Sequence, residues 1–310
     1  MSRSLKAHIL LVLVTLVWGV TFVQIKDALR DISPLLFNAV RITFASAALA
    51  LFYRRELRTL SRSALYAGVL VGIPLWLGFS FQTTGLRLTT PSKSAFLTGF
   101  SVILVPVFLA IGWRKKVNAW TVAGVFIAFV GLYWMTVPAG NGSGLNLESI
   151  NRGDLLTLGC AVMFAFQIIL MGRAMQKHRF EGVATVEAIT CAVLMFATVP
   201  VIEHAHAVWS SRVIWAILVT GLLGTGAAFT IQAWAQQFTP PTHTALIFLL
   251  EPVFAWVTSY IVLHERLGMR AGMGALLILG GIVVSELKGS QAELQAEVGD
   301  EQPETAKSEA

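Results

Sequence analysis

Two charges stand deep inside apolar runs, Arg41 in Arg41-Ile-Thr-Phe44 and Glu251 in Leu250-Glu-Pro-Val-Phe254. Arg41 sits about eight residues into its run and Glu251 about ten, ~12 Å and ~15 Å along a helix. If both runs cross a bilayer, the two charges lie near one depth. A charge there is expensive unless it faces a wet cavity or a partner, so each is a functional candidate by default. Arg41 has two readings, a cavity cation or a packing arginine bonded to backbone carbonyls. Glu251 could exchange a proton or bind a substrate amine, or it could cap the backbone groups that Pro252 leaves unpaired.

Neutral residues join them. Trp18 and Phe22 are four apart on one helix face, and Phe164 and Ile168 repeat them 146 positions later; they are either the walls of a ligand site or plain packing. Gln82, Gln167 and Gln232 are polar groups within apolar runs, which either bond between helices or line a cavity. Gly124 and Gly131 are seven apart, as are Gly274 and Gly281, so each pair permits close helix packing. Glu187 is the counterpart of Arg41 at the shift of 146; an inverted repeat places it toward the inner face, out of contact with Arg41. Lys93 and His243 occupy equivalent positions at two helix entrances, and snorkelling accounts for Lys93.

Other chemistry is absent. Glu203-His-Ala-His206 has no third ligand nearby, so no metal site is expected. Cys160 and Cys191 fall in apolar runs without ligand spacing. No Gly-x-x-x-x-Gly-Lys-[Ser/Thr] motif offers an ATP site, and no cofactor is implied.

The elements that must hold these residues follow from composition. Of 310 residues, 55% are hydrophobic and 13% charged, with a mean hydropathy of +0.71, against about 25% charged in a soluble globule. The net charge of +6 does not point to nucleic acid, because the basic residues form short clusters between apolar runs. The run from Ile9 to Val23 has no small-x-small cleavage site and reads as a retained first span. Windows of about 20 apolar residues fall near 8–25, 34–53, 64–86, 91–112 and 118–137, then near 154–172, 183–202, 213–235, 241–263 and 270–287. The runs are continuous, so they read as helices and not barrel strands.

Repetition divides the chain. Thr89-Thr-Pro-Ser-Lys-Ser-Ala95 superposes on Thr239-Pro-Pro-Thr-His-Thr-Ala245 at a shift of 150, and Pro-Val-Phe recurs at 106–108 and 252–254. Phe79 and Gln82 fall on Phe229 and Gln232 at the same shift. The predicted fold is therefore all-α and membrane-integral, with ten transmembrane helices as two inverted five-helix repeats around a central cavity. Residues 1–137 form the first repeat, 138–153 a glycine-rich connector, 154–288 the second repeat, and 289–310 a disordered acidic cytoplasmic tail. Basic clusters such as Arg54, Arg55, Arg58 and Arg62, then Arg114, Lys115 and Lys116, favour both termini in the cytoplasm.

Trp18-Gly-Val-Thr-Phe22, Arg41-Ile-Thr-Phe44, Gln82 leading to Thr89-Thr-Pro-Ser-Lys-Ser-Ala-Phe96, Leu250-Glu-Pro-Val-Phe254 and His264-Glu-Arg-Leu267 together resemble the ten-helix EamA-type members of the drug/metabolite transporter superfamily. The resemblance runs from His8 to Lys288; His264-Glu265 departs from the family's usual Gly-Glu. It implies a carrier of small organic metabolites across the cytoplasmic (inner) membrane, usually outward. The expected function is a secondary transporter exporting an amino-acid-like solute by alternating access, with proton counter-transport as the coupling. The rivals are a membrane-embedded lipid-modifying enzyme, which would need paired His/Asp or carboxylate groups at a membrane face, and a channel.

Overall fold

The computed structural model describes residues 2–89, 91–114, 117–136, 151–263 and 269–285. Helix α1 (Arg3–Ala28) starts at Ser2, whose Oγ accepts the Leu5 N–H at 3.2 Å. Helix α2 (Pro34–Phe52) has proline at its first position, where a missing N–H costs nothing. A short α3 (Arg54–Arg58) leads to α4 (Arg62–Leu88), capped by Ser61. Next come α5 (Pro91–Thr98), α6 (Ser101–Trp113) and α7 (Ala119–Thr136).

The second set opens with α8 (Arg152–Met175), entered through a capping box between Asn151 and Asp154. It continues with α9 (Phe180–Ile202) and α10 (Ser211–Gly221), a π-helical segment (Leu222–Ala227), α11 (Ala228–Ala235), α12 (Pro241–Phe248), α13 (Leu250–Leu263) and α14 (Met269–Val284). Two expectations change here. The runs at 91–112 and 241–263 are each two helices, and the run at 213–235 carries a π segment. The connector to residue 150, His264-Glu-Arg-Leu267, the Lys93 side chain and the tail lie outside the described residues.

Many large apolar side chains face outward. On α1, Leu5, Ile9, Leu13, Leu16 and Val20 are exposed while Ala7, Leu11, Val14 and Phe22 are buried. An exposed stripe of that length would be a liability in water and is the expected face toward lipid. Among the described residues seven helical stretches are long and apolar enough to cross a membrane, and 119–134 and 272–284 are shorter apolar helices. The chain is an integral membrane protein.

Glycine sets the closest approach. A Cβ at Gly131 would fall 2.5 Å from the Gly274 carbonyl oxygen, and one at Gly124 would fall 2.5 Å from that of Gly281. The reversed order of these partners makes α7 and α14 antiparallel. Helix α4 packs on α8 and α9, α2 on α9, and α1 on α13 and on the rod made of α10 and α11. Away from the centre, the loop at 203–210 closes over the loop at 29–33. The Glu203 carboxylate accepts the Leu35 and Leu36 N–H groups at 3.1 Å, and Arg212 pairs with Asp27 and Asp31. Glu203 is thus a helix cap for α2, and no metal-binding group occurs among the described residues.

Candidate solute cavity

Broken helices make room for the cavity. The Pro252 ring cannot donate to the Phe248 carbonyl and crowds it, so α12 stops there and α13 starts beyond Leu249. The equivalent break falls at Gly99–Phe100. Pro106 does not cause it, since that proline lies inside α6. The two breaks meet: a Cβ on Gly99 would lie 3.2 Å from Leu249 and closer still to Leu132. Residues of both breaks, Gly99, Ser101, Leu249 and Pro252, line one cavity.

The cavity between them encloses about 70 Å³, room for on the order of five waters. Trp18, Phe22, Arg41, Gln82, Phe164, Gln167, Gln232 and Glu251 all line it. Its wall is aromatic. Trp18 lies edge-on to Phe248 at 4.9 Å and contacts Phe229 at 5.5 Å, while Phe79 meets both Phe164 and Phe229 at 5.7 Å. The Trp18 indole donates from Nε1 to the Gly224 carbonyl at 2.7 Å. That carbonyl belongs to the π segment, and such segments recur at functional sites because they displace backbone from the regular ladder.

Arg41 is 3% exposed. Its guanidinium lies 4.3 Å over the Phe79 ring and 5.5 Å from that of Phe37. Its Nε donates to Asn38 Oδ1 at 3.0 Å. Asn38 also accepts from Thr83 at 3.2 Å and donates to the Phe79 carbonyl at 3.0 Å, so one side chain fixes both the arginine and the ring beneath it. No carboxylate is within ion-pair distance of Arg41 among the described residues, which leaves its terminal N–H groups for the cavity. Glu251, half-buried at the start of α13, has neither a hydrogen-bond nor an ion-pair partner among the described residues. Arg41 and Glu251 thus border one space as opposite charges, neither ion-paired among the described residues.

Glutamines make the polar corner. Gln167 Nε2 donates to Glu187 at 2.7 Å, and Gln232 Nε2 donates to Gln167 at 3.0 Å. Glu187, set aside by its expected depth, is fully buried beside the wall, without contact to Arg41. His243 is buried as well. Sequence reasoning missed Asn38, three residues before Arg41 on the same face, and that spacing was its available signal.

A bundle of apolar helices, broken where they meet a charged and aromatic-lined space, has the architecture of a membrane transporter. The EamA-like transporter family matches this chain twice, over residues 5–137 and 151–287, and the chain belongs to that family. It is similar to an uncharacterized transporter of Archaeoglobus fulgidus, with 32% identity over 286 residues, 92% of this chain and 87% of that one. It is also similar to a probable amino-acid metabolite efflux pump of Escherichia coli, with 23% identity over 304 residues, 92% of this chain and 95% of that one. A solved crystal structure shares the fold, at a TM-score of 0.74 and 18% identity over 93% of this chain and 99% of its own.

Proposed function

We propose that this protein is a secondary carrier that exports a small amino-acid-like solute across the cytoplasmic membrane by alternating access, in exchange for protons. The observation that carries the reading is the placement of Arg41 and Glu251, neither ion-paired among the described residues, on one aromatic-lined cavity. A solute with a carboxylate and an ammonium satisfies both, the carboxylate on the guanidinium fork and the ammonium on the carboxylate. The rings of Trp18, Phe79, Phe164 and Phe229 then take an apolar side chain. The name of the Escherichia coli relative supports this solute class.

The halves are read as inverted five-helix repeats, ten spans in all, with both termini in the cytoplasm. Support comes from equivalent elements that face each other: Phe79 with Phe229, Gly99 with Leu249, and antiparallel α7 with α14. The double family match supports the same division. Alternating access follows if the two halves rock about the cavity.

Counterflow tests the reading. Proteoliposomes loaded with one unlabelled amino acid at a time should take up the same labelled compound transiently above equilibrium. Uptake that neither saturates nor responds to internal solute would exclude a carrier.

A further inference from the structure

Glu187 on α9 is fully buried and is not part of the cavity wall. Its Oε1 accepts from Gln167 at 2.7 Å, and its Oε2 is buried with no donor. Gln167 Oε1 accepts from Gln232 Nε2 at 3.0 Å, and the same Nε2 reaches Gln236 Oε1 at 3.2 Å. Within this network Gln232 Oε1, like Glu187 Oε2, is a buried acceptor without a donor. Gln167 and Gln232 border the cavity, so the network joins a sealed carboxyl to the solute space.

The surroundings supply no counter-charge. Helix α4 faces Glu187 with Gly72, whose missing side chain lets the Glu187 carbonyl approach. Helices α8 and α11 contribute the glutamines. On α9 itself Cys191 stands one turn on, within electrostatic reach of both Glu187 and Arg41 of α2. The charges of α3 lie by Glu181 and Tyr53 at the start of α9. None of these forms an ion pair with Glu187 among the described residues.

We propose that Glu187 is the proton site of the carrier, and that Gln167 and Gln232 report its state to the cavity wall by turning their amides over. Only an amide nitrogen can face an ionised carboxylate, and that is the arrangement seen. A protonated Glu187 would instead donate its O–H to Gln167 Oε1. Gln167 Nε2 would then donate to Gln232 Oε1, the acceptor now without a donor, while Gln236 Oε1 gives up its bond. The first arrangement has three bonds among these four side chains and the second has two, and they present opposite dipoles to the cavity. A network with two discrete arrangements selected by one proton can couple that proton to a conformational change. The use of this site rests on the carrier reading above; its existence does not.

Difference infrared titration of the full chain in lipid nanodiscs reads the site directly. A carboxylic-acid C=O band should titrate in the wild type, persist in Glu251→Gln and vanish in Glu187→Gln. Gln167→Met should move its midpoint by about one pH unit, the worth of one hydrogen bond to a charged group. If Glu187→Gln yields no monodisperse protein, Glu187→Asp, which falls short of Gln167, should keep the band with a moved midpoint. A band that survives Glu187→Gln, or a midpoint indifferent to Gln167→Met and Glu187→Asp, overturns the proposal.

Flux provides the second arm. The ratio of solute flux with and without an imposed pH gradient should exceed unity in the wild type and fall to about one in Glu187→Gln. A ratio unchanged by Glu187→Gln, or stimulation that follows a sodium gradient instead, refutes the proton assignment. Wild-type liposomes without any solute flux would refute the carrier reading, while the infrared result would still decide the proton site.

Discussion

Replacing Arg41 by glutamine removes the cation that the cavity offers a solute carboxylate and leaves most of its surroundings in place. Asn38 keeps the Thr83 hydroxyl as donor and its own bond to the Phe79 carbonyl, so the α2–α4 contact should survive. The guanidinium has spent only Nε on the protein, and its terminal nitrogens can take a carboxylate through two parallel bonds. Hydrogen bonds to charged groups are each worth about 1.5–3 kcal/mol, and a neutral amide replaces one of them weakly. A net loss of about 3 kcal/mol corresponds to ~150-fold weaker binding. Arg41→Lys keeps the charge and loses the fork, so a loss of about tenfold is expected. The assay is equilibrium binding of the solute identified by counterflow, alongside its carboxamide. The acid should lose ~150-fold in Arg41→Gln, whereas the carboxamide should bind wild type and variant alike. Equal losses for acid and amide would refute carboxylate recognition and return Arg41 to a packing role.

Glu251→Gln should weaken an amine-bearing solute by about 10–100-fold, as loss of a charge-assisted bond requires, and leave its des-amino analogue unaffected in the same binding assay. Gly131→Val should lower thermal stability in detergent by about 1–3 kcal/mol, because its Cβ would strike the Gly274 carbonyl. Gly112→Ala meets nothing within 4 Å and serves as the silent control. Glu203→Ala uncaps α2 at Leu35 and Leu36 and should cost about 1 kcal/mol, read as a lower unfolding midpoint with solute affinity intact.

Arg41 and Glu251 were legible in the sequence because a charge within an apolar run has few inexpensive places to stand. The glycine pairs were legible too, since their spacing recurs at a fixed shift and small residues mark close helix contacts. Rotation about each helix axis was not. These helices are apolar all round, so hydrophobic period does not tell the cavity face from the lipid face. For that reason Phe79 and Phe229 stood out only as repeat matches, and Asn38 not at all. Glu187 was judged by depth alone, while its bond to Gln167 depends on how α8 and α9 face each other. The break at Gly99 was hidden for a different reason. Pro106 drew attention to a point where the helix continues, and the irregularity falls where two equivalent turns meet beside Leu132 and Leu249.

Gln82 and Gln232, 150 positions apart in the sequence, border the same cavity. Single cysteines at these positions, with Cys160 and Cys191 replaced by alanine, can be labelled by an impermeant thiol reagent from either side of oriented vesicles. Alternating access predicts that each cysteine is reached from either side in turn, and that saturating solute shifts the rates from the two sides in opposite directions. Labelling from one side only, or rates indifferent to solute, would contradict it.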